Sequence, residues 1–477
     1  MKKHIKHFAV LLVLSILVTS CFKDNDDAFA SPIVVKNFIY RAMNVFYLYK
    51  PDVPVLDNDR FATTADLEAF HQQFSTPEGF FESLIFDRPR TDRFSIIVSD
   101  YVLLEQALSG QGLNNGMEFG LVAVNGNPTD VFGYVRYVLP NSNAAQQGVT
   151  RGMIFTTVSG VQLTRANFRA LLNSISYTIG LADLNAGVLT ATGQIIALTK
   201  VFLQEDPIHA AIVIQQGTNK VGYLMYNSFL SQFDEQLNNA FAMFRAQGVT
   251  HLVLDLRYNG GGSVNTAIML GSLISGNPTT DIFEKEEWNP EIQQLLLNQD
   301  PNALTSFFKD RTNGGTALAS LNLSKVRIIT SRSTASASEL VINGLVPYID
   351  VIQVGDFTIG KFQGSTTLYD SPNFRRSGAN PAHRYALQPL IFKTMNSDGF
   401  TDYFDGLPPD IPLNEDFENL GILGDPTEPL LRACLDDILQ NGRPGSARTS
   451  GMRYEEISGS SALKPFGNEM WRDGVFD

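Results

Sequence analysis

Thr334 to Glu339 (TASASE) places two serines among small residues, and Lys361 follows the first of them by twenty-five positions. Small neighbours leave room for a substrate carbonyl, and a helix beginning here would favour a negative intermediate at its N-terminus. On its own the segment reads first as a helix cap, because Ser is a favoured N-cap. A second candidate is the loop Asn259 to Gly262 (NGGG) between an apolar run and a helical one. Backbone N–H groups beside a helix N-terminus suit a developing oxyanion, although a tight strand-to-helix turn needs the same glycines. Phe119, Gly120 and Leu121 are a third candidate, a glycine before a strand whose open edge would accept an added peptide strand.

Two nucleotide readings fail on single residues. Gly355 to Lys361 (GDFTIGK) follows a P-loop for seven positions, but Phe362 stands where Ser or Thr must hold magnesium. The glycines at 260–262 miss a dinucleotide fingerprint because Asn265 occupies the third glycine position. Metal chemistry has no support either: His71, His209, His251 and His383 are scattered, and no HExxH or paired cysteines occur. No cofactor is expected.

These candidates need elements to hold them. Val34, Phe38, Ile39, Met43 and Phe46 recur at helical spacing in a helix-rich stretch over residues 31–100. Residues 101–200 read as β-rich, with strands near 119–124 and 134–139 and a turn-rich helical segment from Asn141 to Gly152. From 201 strands and helices alternate: strands at 220–226, 251–256, 326–330 and 351–354, helices around 233–244, after Ser263 and from Ser336. That alternation predicts an α/β core. The chain beyond 436 is polar and rich in Gly, Ser and Arg, and reads as a loosely held tail.

The 477 residues call for more than one domain, and 44% hydrophobic with 18% charged residues is a globular composition. A formal charge of −13 argues against a nucleic-acid surface, which needs Lys and Arg to neutralise phosphates. Lys2, Lys3 and Lys6 precede a short apolar run that ends in Val18-Thr19-Ser20-Cys21. This reads as an export signal over residues 1–20 and resembles a bacterial lipobox, with Cys21 as the lipidated residue. Residues 21–30 would be a tether to the membrane, placing the protein on the bacterial cell envelope, on its periplasmic face or at the cell surface. The only other cysteine, Cys434, is then a lone thiol expected in the interior.

As an ordered set, several segments resemble the tail-specific, or C-terminal processing, serine peptidase family. They are Val221 to Leu224 (VGYL), Leu252 to Gly262 (LVLDLRYNGGG), TASASE, Val354 to Lys361 (VGDFTIGK) and Gly406 to Asp410 (GLPPD). Tyr137 to Gly152 resembles the PDZ module that such peptidases carry. The resemblance implies an α/β multidomain fold: an N-terminal helical domain (31–100), a PDZ-like β-rich domain (101–200), a crotonase-like (ClpP/crotonase) catalytic core (201–435) and a polar C-terminal tail (436–477). It also implies a Ser-Lys dyad of Ser336 and Lys361 working through an acyl-enzyme. The oxyanion would be held by the N–H of Ala337 and one of Gly261 or Gly262, and Phe119, Gly120 and Leu121 would bind peptide. Lys361 would then need burial to lose its proton near neutrality, with Phe357, Ile359 and Phe362 as apolar neighbours.

The sequence departs from that family where Ser365 replaces a glutamine and Pro347 an aspartate; Gln363 is the candidate substitute for the orienting group. The expected partners are protein or peptide substrates and a membrane reached through the lipid anchor, with no nucleic acid or nucleotide. The rival is a catalytically inactive lipoprotein that binds a peptide or apolar ligand on the same fold. A carboxylate paired with the buried Lys361 ammonium would favour that rival.

Overall fold

The structure is a computed structural model and describes residues 31–439, 454–463, 467 and 469–472. The expected signal peptide and Cys21 lie outside the described residues.

Helix α1 (Pro32–Phe46) begins with proline in its first turn, where a missing N–H leaves no bond unmade. Val35, Phe38, Ile39, Ala42, Met43 and Phe46 form its buried face. Helices α2 (Thr64–His71) and α3 (Pro77–Ser83) follow, the first closed by a Thr63/Asp66 capping box. This helical region shares one hydrophobic cluster with Phe241, Leu254 and Leu340 of the later chain. Strand β1 (Ile96–Val98) ties it down further by pairing antiparallel with Ala386–Gln388.

Strands β2 (Met117–Ala123), β3 (Val131–Val138), β4 (Ile154–Val158), β5 (Ser176–Asn185) and β6 (Val188–Thr199) form an antiparallel sheet. It has its own core of Leu121, Val135, Phe155 and Ile179. The main elements that follow are β7 (Ile208–Gln216), β8 (Asn219–Tyr226), α4 (Asp234–Ala246), β9 (His251–Asp255), β10 (Gly262–Ser263) and α5 (Val264–Ser275). Then come β11 (Ile282–Trp288), β12 (Lys325–Thr330), α6 (Ala337–Leu345), β13 (Asp350–Gly355), β14 (Gln363–Ser365), β15 (Leu390–Met395), β16 (Ile411–Pro412) and α7 (Pro429–Ile438).

A six-stranded sheet runs β7-β8-β9-β12-β13-β16, parallel throughout except at β7. Parallel strands need crossover connections and are covered on both faces, which is why Leu252, Val253, Leu254, Ile328 and Ile329 are all fully buried. Gly248, at φ +73°, terminates α4 in the position expected from sequence. Cys434 on α7 is buried and free, as expected.

The polar tail departs from expectation. Within 436–477, α7 runs to Ile438, and two further strands follow: β17 (Glu456–Gly459) and β18 (Met470–Trp471). β17 adds antiparallel to β2, with Gly459 opposite Gly120 and Ser458 opposite Leu121. β18 runs parallel to β10 and β14, pairing Met470 with Gly262 and Trp471 with both Ser263 and Ser365. Strand addition works through backbone hydrogen bonds, so it needs no apolar side-chain pattern and the polar composition conceals it.

Candidate active site

Open parallel sheets place their sites beyond the carboxyl ends of the strands. Here the glycine loop follows β9, the serine segment follows β12 and the lysine segment follows β13, three adjacent strands. The first loop is anchored by Arg257, which is fully buried. Its guanidinium bonds Asp255 (Nη2–Oδ2 2.8 Å), Glu428 (Nη1–Oε1 2.7 Å) and Glu415 (Nη1–Oε1 3.1 Å). Burial raises the Glu415 carboxyl, but Arg151 and Arg257 outweigh it and hold the group down at about 2. Asn259 completes the turn: its amide donates to the Tyr226 carbonyl and its Oδ1 accepts the Gly261 N–H at 2.9 Å. Gly261 is therefore corrected as an oxyanion donor, because its N–H is spent inside the loop.

Ser336 caps α6 at φ 66°, ψ −120°, a strained conformation for a residue with a Cβ. It is fully buried, and its Oγ has no hydrogen-bond partner among the described residues. Capping is done instead by Glu339, whose Oε2 accepts the Ser336 N–H at 2.7 Å. The same Oε2 accepts the Lys361 N–H at 2.8 Å, and Oε1 takes the Gly360 N–H at 2.7 Å and the Thr358 hydroxyl at 2.5 Å. One buried carboxylate thus clamps the serine and lysine segments together. Burial pushes it up to about 7, against the pull of these four donors. Ser338 is not a second candidate, since its Oγ donates to the Asn259 carbonyl at 3.1 Å. Ala337 opens α6, where the first-turn N–H groups have no partner within the helix.

Lys361 is fully buried. Its Nζ meets Glu469 Oε2 at 2.8 Å and lies 4.8 Å from the centre of the Phe94 ring. Burial lowers its pKa, while Glu469, Asp92 and Glu339 act in the opposite direction. The aromatic neighbour is thus Phe94 of the N-terminal region. Phe357 is 37% exposed and lies under Arg332. Arg93 Nη2 donates to the Gly360 carbonyl at 2.7 Å, docking residues 92–95 on the lysine loop. Gln363 projects elsewhere: its Nε2 donates to Tyr49 Oη at 2.9 Å, and its Oε1 has no partner among the described residues. That side chain does not orient the dyad.

The tail enters between these groups. A Cβ built on Gly261, at φ +115°, would lie 2.7 Å from the Glu469 carbonyl oxygen and 3.0 Å from Ser336 Oγ. The Glu469 carbonyl and the serine hydroxyl therefore converge beside the glycine loop. Ser365 Oγ donates to the Met470 carbonyl (3.2 Å), and the Arg472 N–H donates to the Ser365 carbonyl (3.2 Å). Arg472 Nη2 reaches Glu284 at 2.5 Å and Glu286 at 2.7 Å on β11. A cavity of about 230 Å³ connects the expected docking edge to this point, lined by Phe119, Arg136, Asn227, Gly261, Ser460 and Glu469 among others.

The fold brings the segments carrying Ser336, Lys361, Ala337 and the glycine loop to the ends of adjacent strands, and it adds Glu339, Phe94 and Glu469, which the sequence reading missed. Glu339 had a signal, since Ser-x-x-Glu before an apolar run is a capping box. Phe94 and Glu469 had none, because each arrives from a distant part of the chain.

Residues 220–412 match the family model described as Peptidase family S41, and residues 34–96 match the Peptidase S41 N-terminal domain. The chain is 25% identical over 224 residues to a Staphylococcus epidermidis protein named "Probable CtpA-like serine protease", a match covering 47% of this chain and 40% of that protein. It is 24% identical over 224 residues to the chloroplastic carboxyl-terminal-processing peptidase 1 of Arabidopsis thaliana, covering 46% and 42% respectively. The chain thus matches about two fifths of the length of these curated relatives. In fold it is similar to the crystal structure of an S41 protein from Bacteroides fragilis, with TM-score 0.65 and 24% identity over 85% of this chain and 97% of that one. With the family's two domains matched in their expected order, and the serine, lysine and glycine-loop segments brought together by the fold, this chain belongs to peptidase family S41.

Proposed function

We propose that the protein is a serine peptidase of the C-terminal processing class, acting on polypeptides at the cell envelope. The observation that carries this is Glu339 Oε2 accepting N–H groups from both Ser336 and Lys361, so that nucleophile and base share one anchor. In the proposed reaction, neutral Lys361 takes the proton as Ser336 Oγ attacks a peptide carbonyl. The oxyanion is held by the N–H groups of Ala337 and Gly262, and the proton passes to the departing amine. Water, deprotonated by Lys361, then releases the acyl group. Strand β2, through Phe119, Gly120 and Leu121, is the peptide-docking edge of the PDZ-like module. The lipid anchor at Cys21 keeps the protein on the envelope.

The Lys361–Glu469 pair favours a second reading, a binding protein whose base stays charged. The test is digestion of an unfolded protein with an apolar C-terminus, read by mass spectrometry, using the parent chain and Glu469→Gln, each with and without Ser336→Ala. Cleavage by either form that disappears with Ser336→Ala supports the peptidase. If neither form cuts or acylates a serine-directed phosphonate while both bind the peptide, the binding reading holds.

Gly261→Ala gives a further check. The new Cβ would lie 2.6 Å from Ser336 Cβ on a backbone that disfavours any side chain. In the form that cleaves, kcat is expected to fall about 10²-fold, the scale of a lost oxyanion contact, with the fold retained by circular dichroism. Unchanged kcat would show that the loop does not shape the site.

A further inference from the structure

The carboxylate paired with Lys361 comes from a segment that adds strands on two sides of the site. β17 fills the β2 edge by antiparallel strand addition, with Gly459 opposite Gly120. Ser460 Oγ secures that junction, donating to Glu118 Oε2 at 2.5 Å and accepting the Phe119 N–H at 3.1 Å. Farther along, β18 lies parallel between β10 and β14, and the Glu469 carbonyl oxygen stands beside Ser336 Oγ. Three residues later Arg472 reaches two buried carboxylates on β11, Glu284 and Glu286. Each contact on the cleft side comes from the catalytic framework: Gly262, Ser263, Ser365, Lys361 and Glu284.

A pair made by two core residues would mark a permanently inactive site. Here the lysine is core and the carboxylate belongs to the chain's last described segment. That segment is held by short strand pairings and ion pairs; β18 lies between β10 and β14 with Met470 fully buried, so its release would uncover an edge of both strands.

We propose that residues 454–463 and 469–472 act as an intramolecular pseudo-substrate. They cover the docking edge and the cleft together, and Glu469 keeps Lys361 in its ammonium form until a polypeptide displaces the segment. This rests on the peptidase reading above. It assigns the cleft a ligand class: an extended peptide with a residue beside Ser336 and a basic residue three positions later, received by Glu284 and Glu286. Burial pushes Glu284 up to about 7 even with Arg472 present, so that carboxylate gains from a cation in this position.

Two full-length variants test the proposal. Glu469→Gln keeps the shape and removes the negative charge beside Lys361. Arg472→Gln weakens the far end from the segment's side and leaves Glu284 and Glu286 in place to receive the arginine of an added peptide. An opposite charge beside a titratable group moves its pKa by about 1–3 units, so removing it raises the neutral fraction of Lys361 about tenfold or more. Cleavage of an unfolded substrate is expected to rise by about that factor in Glu469→Gln. A fluorescent peptide with the sequence of residues 454–472 is expected to bind both variants at least about tenfold more tightly than the parent, by anisotropy.

Equal peptide affinity in all three proteins would overturn the proposal, whatever the activities. Equal cleavage by parent and Glu469→Gln would overturn the disarming role of Glu469 and leave the peptidase reading standing. If no form cleaves but the variants bind the peptide more tightly, the segment is a resident ligand and the peptidase reading is the one that fails.

Discussion

Replacing Lys361 by alanine is expected to lower kcat/KM for polypeptide cleavage by about 10³-fold, within the 10²–10⁴ range of a positioned general base. Lys361→Arg is expected to fall as far, because a guanidinium stays protonated at any pH the protein survives. The pH profile separates a base from a structural lysine. Only the neutral amine accepts the serine proton, so the rate rises with pH as Lys361 loses its proton. Burial lowers the Lys361 pKa and moves that limb toward neutrality, while Glu469, Asp92 and Glu339 move it back up. Glu469→Gln removes one of the three, so the limb is expected to shift to lower pH. A limb at the same pH in both proteins would mean that Lys361 is not the group being titrated.

The largest effect on stability is expected at Arg257. Its guanidinium is fully buried among Asp255, Glu428 and Glu415, with contacts of 2.7–3.1 Å. Removing one partner of a buried ionic network costs about 3–5 kcal/mol, because the remaining charges stay desolvated without a counter-charge. Arg257→Ala leaves more than one such carboxylate, so a value near the upper end is expected from the urea midpoint. Against a typical total stability of about 5–15 kcal/mol, this brings the chain close to unfolding. Triple replacement with Asp255→Asn and Glu428→Gln is expected to recover part of the loss. A loss below about 1 kcal/mol would show that water reaches the network and that it is worth no more than a surface pair. The network also has a positional role: Ser331 Oγ donates to the Arg257 carbonyl, linking the glycine loop to the segment that carries Ser336.

The parallel core was legible because it obeys patterns that depend on side chains. Strand β9 centres on the apolar run Leu252–Leu254, α4 repeats Leu237, Phe241 and Phe244 on one face, and Gly248 marks its end. Ser336 and Lys361 were legible for a related reason: their segments sit at the ends of adjacent strands, so order along the chain becomes proximity in space. The rest depends on groups that sequence pattern does not weight. β17 and β18 are bound through backbone pairing, which leaves no periodicity. Phe94 reaches Lys361 because Arg93 grips the Gly360 carbonyl, a contact between segments more than 260 residues apart. In a regular strand over residues 359–363, Gln363 would project to the same side as Lys361. Lys361, however, precedes β14 and does not share its register.

The two tail contacts also measure length. Gly459 sits at the β2 edge, and Glu469 sits at Ser336, about ten residues further along the chain, or ~35 Å when fully extended. A polypeptide following the same track must offer that much chain free of its own fold, with one end gripped as a strand and the other laid along β14. A compact protein with only a few loose terminal residues can reach the edge or the serine, but not both. On the pseudo-substrate proposal, the track would work as a ruler for unfolded chain, sparing proteins folded nearly to their ends and admitting those whose ends have come undone.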